Sequence, residues 1–184
     1  VYEDKYSSSL ANLAFIASDQ QQQELVPRLT NLSIFYNDQT LAASPQNVIY
    51  WKTRGKNDYL FYQINLDKKY LEDGVAALNQ AQKLAPSDPK LPYSLAIYYS
   101  LLNDEFSSVE TPEAREKAQL YRTLSLINID KSIELKSDYR DAYFLKAQLE
   151  KKYGDSEEAH KALEYILQNI NPHDDEAKKE IESL

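Results

Sequence analysis

The chain contains no cysteine and no methionine, and its 184 residues include only three glycines and two histidines. Without cysteine there is no disulfide, no thiol nucleophile and no thiolate metal site, a composition compatible with an oxidising compartment. Methionine is missing at position 1 as well, as expected of a segment of a longer or processed polypeptide. His160 and His173 offer little for a metal pair or a general base, and there is no glycine-rich phosphate loop, nucleophile elbow or zinc-ligand spacing. No enzyme activity, cofactor or metal is therefore expected. Positive charge is scarce too: 21 Lys and Arg stand against 29 Asp and Glu, a net charge of −8, which argues against a surface that tracks phosphates and so against nucleic acid. No apolar run approaches the roughly 18 residues needed to span a bilayer, and the N-terminus lacks the charged and apolar regions of a signal peptide.

What the chain does have is helix-forming residues in quantity, with seven prolines that fall mostly between apolar stretches. In "LAPSDPKLPYSLAIYYSLL", residues 84–102, Pro86 closes one helix because its ring cannot continue the ladder. Pro89 and Pro92 sit where a first helical turn has no ladder bond to lose. This is a helix–turn–helix boundary, and it recurs: Pro45 precedes Pro86 by 41 residues in the same setting. Small residues keep the same step. Ala14, Gly55, Ala96 and Ala147 are spaced 41, 41 and 51, and Ser33, Gly74, Ser125 and Ala159 are spaced 41, 51 and 34. Two columns of small side chains, placed where helices approach most closely, thus run through four units.

The last unit, "RDAYFLKAQLEKKYGDSEEAHKALEYILQNINP", has the 34-residue period and resembles the tetratricopeptide repeat (TPR). Tyr143 stands at the family's aromatic place, Ala147 and Ala159 at its two small places, Gly154 at its turn and Leu163 after the second small place. Asp155 with Glu158 forms a capping-box pattern for the second helix. In the first two units the seven residues beyond 34 add about one turn to each helix and leave every face pointing as before. The third unit has a longer addition, read as a loop from Asn103 to Glu110 and, from the Thr111-Pro112-Glu113 start signal, a long helix over 112–135. HEAT and armadillo repeats compete for the 41-residue spacing, and the 34-residue last unit weighs against them. The expected fold is all-α: a right-handed α-solenoid with repeats at 7–47, 48–88, 89–139 (insert 103–112) and 140–173. "DDEAKKEIESL", amphipathic and charged, supplies a capping helix over 174–184.

The TPR resemblance implies a ligand groove lined by the first helix of each unit. At the corresponding places stand Ala11 and Phe15, then Lys52, Lys56 and Tyr59, then Tyr93, Ile97 and Ser100, and finally Phe144, Gln148 and Lys151. This mixture of apolar and basic residues in an acidic chain suits an acidic or aromatic-accepting ligand, a peptide or a sugar ring, although any one lysine is also explained as a solvated face. Tyr98, Tyr99, Tyr143 and Tyr165 are expected to pack between helices. Some TPR proteins clamp a peptide carboxylate with Lys and Asn, then Asn, then Lys and Arg. Here Lys52 matches, but Lys56, Ser94, Asp141 and Leu145 occupy the other places, so that clamp is absent. Asn31-Leu-Ser33 fits a glycosylation acceptor and is discounted because Ser33 belongs to a packing column.

A finer resemblance covers nearly the whole chain. "YSSSLANLAFIAS", "SPQNVIYWKTRGKNDYLFYQINLDKKYLEDGVAALNQAQKLAPSDPK" and "NPHDDEAKKEIESL" look like the tail that follows the membrane domain of bacterial O-antigen ligase and polymerase-like proteins. That resemblance implies an extracytoplasmic TPR module, tethered to a membrane domain that carries any glycan-joining chemistry, with a protein, peptide or saccharide partner. The alternative is a free-standing cytoplasmic scaffold that gathers peptide segments of partner proteins.

Overall fold

The computed structural model describes residues 2–184, which form nine α-helices and one short π-helical segment, with no strand among them. The chain divides into two compact units at Pro86 and Ser87, within the triple-proline stretch. The first holds α1 (Tyr2–Asp19), α2 (Val26–Ala43), α3 (Val48–Asn65) and α4 (Lys68–Leu84). The second holds α5 (Lys90–Ser107), α6 (Pro112–Leu135), α7 (Arg140–Lys152), α8 (Ser156–Tyr165) with the π segment Ile166–Ile170, and α9 (Asp175–Ile181). Within each unit consecutive helices pair as hairpins, α1 with α2, α3 with α4, α5 with α6 and α7 with α8. The all-α solenoid class expected from the repeat is the fold observed.

Local signals place the helix ends. The side chains of Asn47, Asp67, Thr111, Asp155 and Asp174 each accept a backbone N–H of the first turn of the following helix. Pro112 opens α6 behind Thr111, and Pro92 lies in the first turn of α5. Gly154 ends α7 with φ +88°, a conformation for which a residue without Cβ is suited. α1, α2 and α3 have 18 residues and α4 has 17, against 13 in α7, so the first two hairpins are the taller ones that the 41-residue period predicts.

Both small-residue columns are buried: Ala14, Gly55, Ala96 and Ala147 on the first helices of the hairpins, and Ser33, Gly74, Ser125 and Ala159 on the second. At Gly55 a Cβ would stand 2.9 Å from Leu78 Cγ, so α3 and α4 touch backbone to side chain there. The serine in the second column does more than leave room. Ser7 Oγ donates to the Ser33 carbonyl at 2.9 Å, and Ser33 Oγ donates to the Ser7 carbonyl at 2.7 Å. Asn57 Nδ2 on α3 donates to both hydroxyl oxygens, at 2.8 and 3.3 Å. Three helices are stapled by one buried polar knot, and the Ser33 hydroxyl of the Asn-X-Ser triplet is committed inside it. Tyr98 and Tyr99 are buried, and Tyr143 stacks on Tyr165 with ring centroids 4.3 Å apart, the interhelical packing expected for these tyrosines.

Two expectations need correction. The stretch from Asn103 to Glu110 is not all loop, because α5 runs on to Ser107 and only residues 108–111 connect it to α6. Its polar residues are held by the partner helix: Asn103 Nδ2 donates to the Ala118 carbonyl at 2.8 Å, and buried Phe106 packs against the Tyr121 ring at 5.5 Å. The insert at 103–112 is therefore mostly a taller hairpin. α1 itself is helical from Tyr2, five residues ahead of Ser7.

The terminal cap is shorter than 174–184, with Asp174 as its N-cap rather than its first turn. Asp174 accepts the Ala177 N–H at 3.0 Å and receives the Arg140 guanidinium as a fork, at 2.9 and 3.0 Å. Behind it, buried Ala177 joins Leu163 and Ile166 in a core that Ile181 and Leu184 close. We expect Asp174→Ala to cost about 2 kcal/mol, a cap plus a charge-assisted fork, and to raise amide exchange in α9 before the rest of the second unit. The Arg140 hydrogen bonds hold the Asp174 carboxyl below its ordinary range. Its contribution is therefore present at neutral pH and lost as pH falls below the ordinary carboxylate value; urea melts at pH 7 and in acid check both points.

Candidate functional site

The groove candidates fall into two sets. Lys52, Lys56 and Tyr59 lie along α3 in the first unit; Tyr93, Ile97 and Ser100 on α5, and Phe144, Gln148 and Lys151 on α7, belong to the second. Lys56 and Gln148 are exposed, while Lys52, Tyr59, Tyr93, Ile97 and Lys151 are half-buried. Tyr93 packs its ring on Tyr139 at 5.3 Å, and burial raises its phenol above the ordinary value.

Ser100, Phe144 and Lys151 have definite structural partners. Ser100 is buried and its hydroxyl accepts Lys152 Nζ at 2.7 Å, tying α7 to α5. Phe144, 9% exposed, sits in the C-terminal core under the Arg140 guanidinium, whose carbon is 4.5 Å from the ring centroid. Lys151 donates to Glu180 and to Ser183 Oγ, both at 2.8 Å, and so helps to hold the cap. Of these positions Lys56 on α3 and Gln148 on α7 are the exposed ones, each in its own unit.

The strongest electrostatic feature lies elsewhere. Asp58 on α3 is 1% exposed, and its Oδ2 has no hydrogen-bond partner; Arg54 Nε approaches it at 3.4 Å. The same guanidinium reaches Asp38 Oδ1 at 2.6 Å and Asn37 Oδ1 at 3.2 Å on α2. Burial pushes the Asp58 carboxyl up to about 7, and the nearby Arg54 charge only partly offsets this. Arg54, Asp38, Trp51 and Asp73 line a cavity of about 550 Å³ between α2, α3 and α4. With its guanidinium divided among three oxygens, Arg54 acts as a brace between hairpins.

This brace was not recognised from the sequence, yet its signal is there. Arg54 and Lys146 are 92 residues apart, as are Asp38 and Asp130, the same displacement that carries Gly55 to Ala147 and Ser33 to Ser125. Lys146 Nζ meets Asp130 at 2.7 Å, so in each unit the second hairpin's first helix grips the preceding helix with a cation on an aspartate. Among the described residues no group of three His, Cys, Asp or Glu is placed to hold a metal ion. His160 lies on the exposed side of α8, 3.8 Å from Glu164, and His173 is in an exposed turn. No described helix is long and apolar enough to cross a membrane.

No protein-family model matches the chain, and no curated protein does. Solved structures do match in fold. The thermophilic TPR protein TTC0263 from Thermus thermophilus aligns over 94% of this chain and 80% of its own, with TM-score 0.64 and 16% identity. MamA aligns over 89% of this chain and 80% of its own, with TM-score 0.54 and 19% identity. A monomeric mutant of IFIT1, solved with Gppp-AAAA, aligns over 95% of this chain but only 36% of its own, with TM-score 0.66 and 16% identity. At these identities the likeness is one of fold, a TPR-like array of hairpins.

Proposed function

We propose that this chain is a non-catalytic binding module that recognises a segment of a partner protein through the exposed face of its first-of-hairpin helices. The observation that carries this reading is what each unit leaves exposed on these helices: Lys56 on α3 in the first, and Gln148 on α7, with Ile97 half-buried on α5, in the second. Exposed cationic and amide side chains on packed helices can anchor side chains of a bound peptide. The TPR-like fold supports the same reading, since it offers extended surfaces for recognition rather than a reaction centre.

The stretches that resemble the tails of O-antigen ligase-like proteins support a finer placement. In it the module stands outside the cytoplasmic membrane, tethered to a glycan-assembling domain, and grips a partner protein or positions a saccharide. The test is a binding panel of acidic, aromatic and neutral peptides with O-antigen-type polysaccharide as a further arm, read against the wild type, Lys56→Glu and Gln148→Glu. Both substitutions change exposed positions and should leave the helical signal intact. We expect at least one to weaken capture of a panel member about tenfold. Equal capture by all three proteins removes this face from consideration, and capture of the polysaccharide alone replaces the peptide with a glycan.

A further inference from the structure

α6 is longer than the helix it packs against. Along one stripe, Ile133, Ile129 and Leu126 join Ala142, Leu145 and Leu149 of α7 in a shared core. Nearer the start of α6 the same stripe continues as Arg122, Gln119 and Arg115, but α7 has ended at Lys152. The α5–α6 hairpin therefore overhangs the end of α7 and leaves a notch of about 380 Å³, with Arg115, Arg122, Lys152, Asn103 and Ser107 in its lining.

The notch is cationic in a chain of net charge −8. Arg122 Nη2 donates to the Tyr153 carbonyl at 3.1 Å and its guanidinium carbon lies 4.9 Å from the Tyr153 ring centroid, which fixes the side chain and leaves further donors facing outward. Lys152 is held by the Ser100 hydroxyl and by Asp104, both at 2.7 Å. Glu113 and Glu116 leave α6 at roughly 160° and 100° from Arg115, on other faces. Glu113 is thus turned to the far side of α6 from these arginines and Glu116 to its flank.

We propose that this notch binds an acidic peptide segment in extended conformation, with Arg115 and Arg122 each taking one carboxylate. Two helical turns separate these arginines by about 10 Å along the axis, close to the roughly 9 Å that three residues of a polyproline II chain rise, a conformation whose three-residue turn puts residues i and i+3 on the same side. The segment recognised therefore carries acidic residues three apart, and each guanidinium fork matches a carboxylate in two-point geometry. This inference rests on the reading of the chain as a peptide-binding module and names a further surface for it within the second unit, distinct from the positions on α3 and from Gln148 on α7.

The test uses a fluorescein-labelled Gly/Ser peptide carrying two glutamates three residues apart, a control peptide with adjacent glutamates, and inorganic phosphate as competitor, read by anisotropy on the whole chain. We expect the spaced peptide to bind several-fold more tightly than the control, and Arg115→Glu to weaken it about tenfold. Arg115 is exposed in the first turns of α6, where a glutamate suits the helix dipole, so the variant should fold. Unchanged binding by Arg115→Glu overturns the proposal, as does equal affinity for the two peptides or displacement by phosphate at the peptide's own affinity. Loss in Lys56→Glu with retention in Arg115→Glu moves the acidic ligand to the other face, sinking the notch while the module reading stands. No binding of the spaced peptide by the wild type also sinks it, and the separate peptide panel then decides the module reading.

Discussion

Replacing Arg54 with methionine should cost about 3–5 kcal/mol at pH 8 and clearly less at pH 5, because it removes the counter-charge nearest the buried Asp58 carboxylate. The difference in cost between the two pH values follows from that carboxyl. In the native protein its value is pushed up to about 7, above the 3.8 of an unperturbed aspartate. Between those values the folded chain holds a proton that the unfolded chain has released, so Asp58 makes stability fall as pH rises from about 4 to about 7, then level off. Removing Arg54 raises the folded value further and carries the decline beyond pH 7. Thermal melts of both proteins across this range check the claim, and curves that stay parallel above pH 7 would sink it. The control is Asp58→Asn, which should stabilise the protein at pH 8 and flatten the slope, since a neutral amide of the same shape has no charge to desolvate.

A comparably large effect is expected at Gly55. A leucine there drives its Cβ to 2.9 Å from Leu78 Cγ and 3.0 Å from its Cδ2, with Leu78 itself only 4% exposed. Since Leu78 has nowhere to retreat, α3 and α4 must part, at a cost of about 3 kcal/mol or more. Gly55→Ala meets the same contact but gains up to about 1 kcal/mol of helix propensity, so its loss should be small by comparison. Urea denaturation of the two variants separates these terms. Equal midpoints for Gly55→Leu and wild type would show that close approach at this column is not what the glycine supplies.

The hairpins, their heights and most of their ends were legible in the sequence because they depend on local or periodic signals. Pro112 behind Thr111, Asp155 as the cap of α8 and the two small columns needed no knowledge of distant contacts. The stretch Asn103–Ser107 was misread because its polarity suggests a loop, whereas the helix is held by Phe106 and Asn103 against α6. The groove candidates were legible only as positions on a helical face. That Lys151 is engaged by the cap, and Ser100 by Lys152, depends on side chains 29 to 52 residues away that no local pattern links. The Arg54–Asp38 brace lies between these extremes: it repeats 92 residues on as Lys146–Asp130, but a cation and an aspartate 16 residues apart on different helices carry no local signal of pairing.

The overhang of α5 and α6 has a practical consequence. Its crest, residues 108–111, is exposed and adjoins the cationic notch, and the polypeptide is devoid of native thiols. A solitary Ser108→Cys change would therefore accept a maleimide dye at one defined spot, turning the crest into a built-in optical reporter of whatever settles beneath it.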